Sequence, residues 1–177
     1  MITFRLRYTT FMRSKYLHKY YGNNRAAKVI YGTILIFVVL IGLSHSTITS
    51  SITLAVTTFV AALTIVFAEI YSEIIGFTVK NKGPLTKSER TEVYEDSFAI
   101  ASISFWPSII LLISGTGLYS VSTALSIGYL FCIITLVSFS YWAARLSSFS
   151  IQKSFFIAVV TAAIGLCIIA LKYEFGH

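Results

Sequence analysis

The chain has 177 residues, of which 56% are hydrophobic and only 12% are charged, and its mean hydropathy is +0.79. A water-soluble domain usually carries about 25% charged residues, so the composition excludes an ordinary soluble domain. It predicts an all-α, polytopic membrane protein that contacts the lipid bilayer. Because the chain contains no RNA- or DNA-binding motif, its net charge of +7 does not indicate a nucleic-acid partner.

Residues 1–28 form a basic segment that we predict to be a cytoplasmic tail. Aromatic and apolar residues recur in it at helical spacing, with basic residues between them. These residues are Phe4, Tyr8, Phe11, Met12, Tyr16 and Tyr20. The pattern is typical of an interfacial helix on the inner leaflet, and an irregular tail is the alternative.

Residues 29–172 are predicted to form a membrane domain with five transmembrane helices. The apolar stretches lie at about 29–45, 52–79, 98–118, 121–144 and 155–171, with an acidic cytoplasmic loop at 80–97. At 1.5 Å per residue, the second stretch is longer than the roughly 30 Å hydrocarbon layer. We therefore expect its end to extend beyond the bilayer.

The basic residues predict the orientation of this five-helix bundle. Thirteen of the 14 Lys and Arg residues fall on one side of the predicted spans, and only Lys172 falls on the other. The positive-inside rule therefore predicts a cytoplasmic N-terminus and an external C-terminus. A count of four or six spans would disperse the basic residues over both sides.

Two carboxylates lie near the end of the second span, in the sequence VFAEIYSEIIG. Glu69 is expected about one turn inside the cytoplasmic boundary, and Glu73 at the boundary itself. Ala55, Ala62, Glu69 and Gly76 recur every seven residues, and small residues at this spacing mark a face where membrane helices pack closely. We therefore expect both glutamates to face the bundle interior, because charges facing lipid are costly.

Further acidic residues follow in the connection to the third span, where Thr86 or Ser88 is predicted to cap a new helix. Glu92 and Asp96 are one turn apart on one face of that helix. Together with Glu69 and Glu73 they are candidate ligands for a divalent cation such as Fe²⁺ or Mn²⁺, or candidate proton carriers. The alternative is structural ion pairing, either with a lysine or with Arg145.

Two spans carry features that concern helix packing. Pro107 lies inside the third span, where it removes one backbone hydrogen bond and predicts a kink. In the fifth span, Ala158, Ala162 and Gly165 belong to small-xxx-small pairs, which predict close packing and a candidate homodimer surface. The chain has no Ser-His-Asp set, phosphate loop or HExxH motif, so we do not expect an enzyme.

The five-span pattern, the acidic end of the second span and the proline in the third span resemble the vacuolar iron transporter family. The resemblance continues in SYWAARLSSFSIQKSFFIAVVTAAIGLCIIAL, which is similar to the last two helices of that family. It implies a dimeric exporter of ferrous iron or manganese driven by proton antiport. Glu69 and Glu73 would match the acidic end of the family's second span.

One position favours a different function. The family has an Asp-Gly pair in its first span, whereas this chain has Tyr31 and Gly32 within VIYGTIL. The alternative is a small multi-pass protein, located in a bacterial inner membrane, that shares the architecture without the transport residues. Such a protein would act as a partner-binding or structural component.

Overall fold

A computed structural model describes residues 25–45 and 50–175, and this part of the chain is helical with no strand. The five helices are α1 (Arg25–Ser44), α2 (Ser51–Asn81), α3 (Lys87–Ser114), α4 (Val121–Leu146) and α5 (Ile151–Phe175). Each is long and apolar enough to cross a membrane. The predicted all-α bundle of five membrane-spanning helices is confirmed. The predicted interfacial helix lies outside the described residues, and the orientation stays a prediction.

Helix α1 lies at the centre of the bundle. One stripe of its surface is buried at helical spacing, as expected for a helix that packs on several neighbours. The stripe consists of Ala26, Lys28, Val29, Gly32, Thr33, Ile36, Phe37 and Leu40. Only one of these residues is charged, and it lies at the beginning of the helix.

The contacts of α1 reach both halves of the bundle. On α3, the side chain of Ile100 fills the space where a Cβ on Gly32 would lie. On α4, the Tyr129 hydroxyl donates a 3.3 Å hydrogen bond to the Leu40 carbonyl oxygen. The Phe37 ring packs edge-on against Tyr129, with 5.7 Å between the ring centroids. Helix α1 therefore joins the α2–α3 pair to the α4–α5 pair.

The connection between α2 and α3 is much shorter than the predicted acidic loop 80–97. Thr86 and Glu89 form a capping box, in which the Thr86 hydroxyl accepts from the Glu89 amide and the Glu89 carboxylate accepts from the Thr86 amide. This cap starts α3 at Lys87, so most of the acidic residues are helical. Only residues 82–86 lie between the two helices. The predicted cap at Thr86 is confirmed, and the helix that contains most of the predicted span 98–118 extends from Lys87 to Ser114.

The residues predicted to pack helices together have different environments. Ala55, Ala62 and Ala158 are at most 4% exposed, Gly165 is also buried, and Ala162 is half-buried. These positions lie inside the bundle of a single chain.

Two of the predicted packing features differ from the others. Gly76 is exposed, and nothing lies within 4 Å of the position that a Cβ would take. The prediction that it packs against another helix is therefore wrong within the described residues, because Gly76 lies on a face of α2 that no other helix covers. Pro107 is fully buried, and α3 continues through it. The kink stays a prediction.

We predict that Gly32→Ala destabilises the bundle, because the new Cβ would overlap Cγ2 of Ile100, a buried and β-branched side chain. Overpacking of this kind costs about 1–3 kcal/mol. Gly76→Ala is the matched control, since open space surrounds that position. Alanine is more favourable than glycine inside a helix by about 1 kcal/mol, so this variant should not lose stability. Unfolding titrations with SDS in mixed micelles measure both. Equal stability of the two variants would contradict the close approach of α1 and α3.

Candidate functional site

One charge cluster lies inside the bundle, at the end where α1 and α3 begin and α2 ends. It consists of Lys28 from α1, Glu69 and Glu73 from α2, and Asp96 from α3. The antiparallel course of consecutive helices brings these residues to the same level. The cluster therefore joins the first three helices at one membrane surface.

The Lys28 ammonium group is the centre of this cluster. It donates a hydrogen bond to Oε2 of Glu73, and its Nζ lies 3.9 Å from Oε1 of Glu69. The side chains of Lys28, Glu69 and Glu73 are only 7%, 22% and 15% exposed, respectively. A charge removed from water to this extent is retained only with a close counter-charge. The two glutamates provide that counter-charge.

Asp96 adds a third carboxylate from α3. It is 8% exposed, and it is attracted by Lys28 and Arg25 and repelled by Glu73. Arg25 is exposed, and its guanidinium group donates a 3.3 Å hydrogen bond to the carbonyl oxygen of Glu95 on α3. The beginning of α1 is thus held to α3 by a direct hydrogen bond as well as by charge.

Glu69 and Glu73 were predicted to face the bundle interior, and their contacts with Lys28 agree with that orientation. The partner of both glutamates is thus a basic side chain. The sequence left a lysine and Arg145 as the two possible partners of these glutamates, and the structure shows the lysine, Lys28. Arg145 instead donates a 2.9 Å hydrogen bond to the Phe149 carbonyl oxygen. In the sequence, Lys28 is one of several basic residues that precede the first predicted span. The signal that identifies it is its place on the buried stripe of α1, four residues before Gly32.

The remaining predicted ligand, Glu92, is half-buried on α3, one turn before Asp96. Within residues 25–45 and 50–175, no group of three or more His, Cys, Asp or Glu side chains has an arrangement that could hold a metal ion. Binding of Fe²⁺ or Mn²⁺ by Glu69, Glu73, Glu92 and Asp96 stays a prediction.

Comparisons with protein-family models, with curated proteins and with solved structures find no match to this chain. The resemblance to the vacuolar iron transporter family therefore has only the sequence features given above to support it. The geometry of the charge cluster is the main structural basis for inferring a function.

We predict that Lys28→Met destabilises the protein by about 3 kcal/mol, the lower end of the range for breaking a buried ion pair. Methionine keeps much of the side-chain volume but leaves the Glu73 carboxylate without its hydrogen-bond donor. Lys80→Met is the control, because Lys80 is an exposed cation at the same end of the bundle. SDS unfolding titrations compare the two variants. If Lys28→Met lowered the free energy of unfolding no more than the control does, the cluster would contribute nothing to stability.

Proposed function

We propose that the protein is a non-transporting multi-pass membrane protein that acts as a structural or partner-binding component. In this proposal, the charge cluster is an internal ion-pair lock that fixes α1, α2 and α3 at one membrane surface. The observation that carries it is the Lys28 ammonium group, which occupies the space between Glu69 and Glu73. A resident cation of the chain itself thus supplies the charge that a transported ion would otherwise supply.

The packing beyond the cluster supports this proposal. Large apolar side chains fill the bundle further along α1, and each is at most 1% exposed. They are Ile36, Phe37, Leu40, Leu54 and Leu111. A transport pathway needs polar groups that replace the hydration shell of an ion, and these side chains offer none.

Two buried hydroxyl groups near this core, those of Thr33 and Thr58, bond to their own helices, whereas the buried Ser108 hydroxyl has no hydrogen-bond partner among the described residues. Thr33 donates a 2.7 Å hydrogen bond to the Val29 carbonyl oxygen, and Thr58 donates a 2.8 Å hydrogen bond to the Leu54 carbonyl oxygen. Both residues are at most 3% exposed. Because these two hydroxyl groups donate to backbone carbonyl oxygens of their own helices, they are not directed towards a path for an ion. This further favours a structural role.

The second candidate function is proton-coupled handling of a divalent cation such as Fe²⁺ or Mn²⁺. One observation favours it: Glu69 and Glu73 flank the buried ammonium group of Lys28, and the Asp96 carboxylate is attracted by the same group. Formally this is three negative charges against two positive charges, because the exposed Arg25 also attracts Asp96. Such an excess attracts a proton or a further cation. The resemblance to the vacuolar iron transporter family supports the same candidate.

A flux measurement distinguishes the two functions. The full-length protein is reconstituted into vesicles, and Mn²⁺ and Fe²⁺ uptake is followed with a pH gradient imposed in either direction. We expect uptake equal to that of protein-free vesicles, because Lys28 already pairs with the glutamates and the core is apolar.

The variants decide the outcome if uptake is observed. Uptake that is abolished by Glu69→Gln/Glu73→Gln and retained by Glu95→Gln would contradict the structural role and establish the second candidate. Glu95 is the matched control because it is an exposed carboxylate at the same end of the bundle. Uptake that survives both changes would contradict the structural role and also remove these glutamates from the transport site.

A further inference from the structure

A cleft of about 720 Å³ opens between the end of α2 and the beginning of α3. It is separate from the charge cluster. Two cations, Lys82 and Arg90, line it together with the apolar or amphipathic side chains of Ile74, Leu85 and Tyr94. No acidic side chain contributes to this lining. The cleft thus combines positive charge with an apolar wall.

The two cations differ from those at the beginning of α1. Lys28 is paired with glutamates, and Arg25 donates to a backbone carbonyl oxygen. Among residues 25–45 and 50–175, by contrast, no carboxylate lies within 4 Å of the charged groups of Lys82 or Arg90. Both side chains are exposed. Their charge is therefore available to an anion that enters the cleft.

Lys82 is the residue at which α2 ends. Its φ of 50° lies in the left-handed region, a conformation that commonly ends helices. The helix therefore stops at the edge of the cleft, and the Lys82 side chain lines the cleft.

The length of α2 indicates the level of the cleft in the membrane. Its 31 residues extend about 46 Å, whereas the hydrocarbon layer is about 30 Å thick. The last turns of α2, which include Ile74, and the following residue Lys82 therefore lie in the headgroup region when the helix begins at the opposite surface. Tyrosine side chains such as Tyr94 are also enriched at this level.

We propose that this cleft binds the phosphate headgroup of an anionic phospholipid. Lys82 supplies a flexible point charge, and Arg90 supplies a planar fork that matches phosphate oxygens. Ile74 and Leu85 contact the apolar part of the same lipid molecule. Basic pockets between membrane helices select acidic lipids in this way. The proposal does not depend on the function proposed for the charge cluster.

The test is native mass spectrometry of the full-length protein in detergent, with dioleoyl phosphatidylglycerol or dioleoyl phosphatidylcholine added. We expect phosphatidylglycerol to bind the parent protein at least about tenfold more tightly than phosphatidylcholine. Lys82→Gln/Arg90→Gln should weaken phosphatidylglycerol binding by about fivefold for each cation removed, and leave phosphatidylcholine binding unchanged.

The matched control is Lys80→Gln/Lys87→Gln, which removes two exposed cations from the adjoining helix ends without changing the lining of the cleft. We expect it to retain phosphatidylglycerol binding within about twofold. Equal losses in the two double variants would overturn the proposal in favour of diffuse surface charge. The absence of any preference for phosphatidylglycerol would overturn it as well. Displacement of the lipid by equimolar inorganic phosphate would show a site for a free anion and would overturn the lipid assignment.

Discussion

The arrangement of the helices depends on one ion pair at the edge of the membrane. The ammonium group of a buried lysine needs a negative charge close to it. Lys28 is 7% exposed, and it lies on α1, whereas Glu69 and Glu73 lie on α2. Since an unpaired charge would be costly there, the two helices must meet at this level. Asp96 extends the same constraint to α3. A single pairing requirement thus determines the relative position of three helices.

The position of the first turn of α1 determines the path of the remaining turns through the bundle. With its basic end held by α2 and α3, the helix runs through the centre of the bundle and contacts α4 and α5 through apolar groups. Glycines allow this close packing: Gly32 faces Ile100, Gly128 faces Leu40, and Gly165 faces Phe37. Van der Waals contact between closely packed helices is the main attraction available in a membrane, where burial of apolar groups gives little.

Most of the architecture could be predicted from the sequence, because hydropathy, helix length and capping are local properties. The five spans and the cap at Thr86 belong to this class. The role of Lys28 could not be predicted in the same way, because it depends on which face of α1 meets α2. Gly76 shows the converse: its heptad spacing is a property of α2 alone, but packing also needs a neighbouring group on the same face, and none of the described residues lies within 4 Å of its Cβ position. Metal binding by the glutamates stays a prediction for a related reason, since the same carboxylates suit an ion or a lysine.

Lys28 and Glu73 stabilise the protein as a pair, and a double-mutant cycle measures the coupling between them. The free energy of unfolding is measured by SDS titration for the parent, Lys28→Met, Glu73→Gln and the double variant. We predict a coupling energy of about 2 kcal/mol, in the range for hydrogen bonds to charged groups. The double variant should be more stable than Lys28→Met alone, because neutral glutamine needs no counter-charge. If the two substitutions changed the free energy of unfolding additively, with a coupling energy below about 0.5 kcal/mol, Lys28 and Glu73 would not act as a pair.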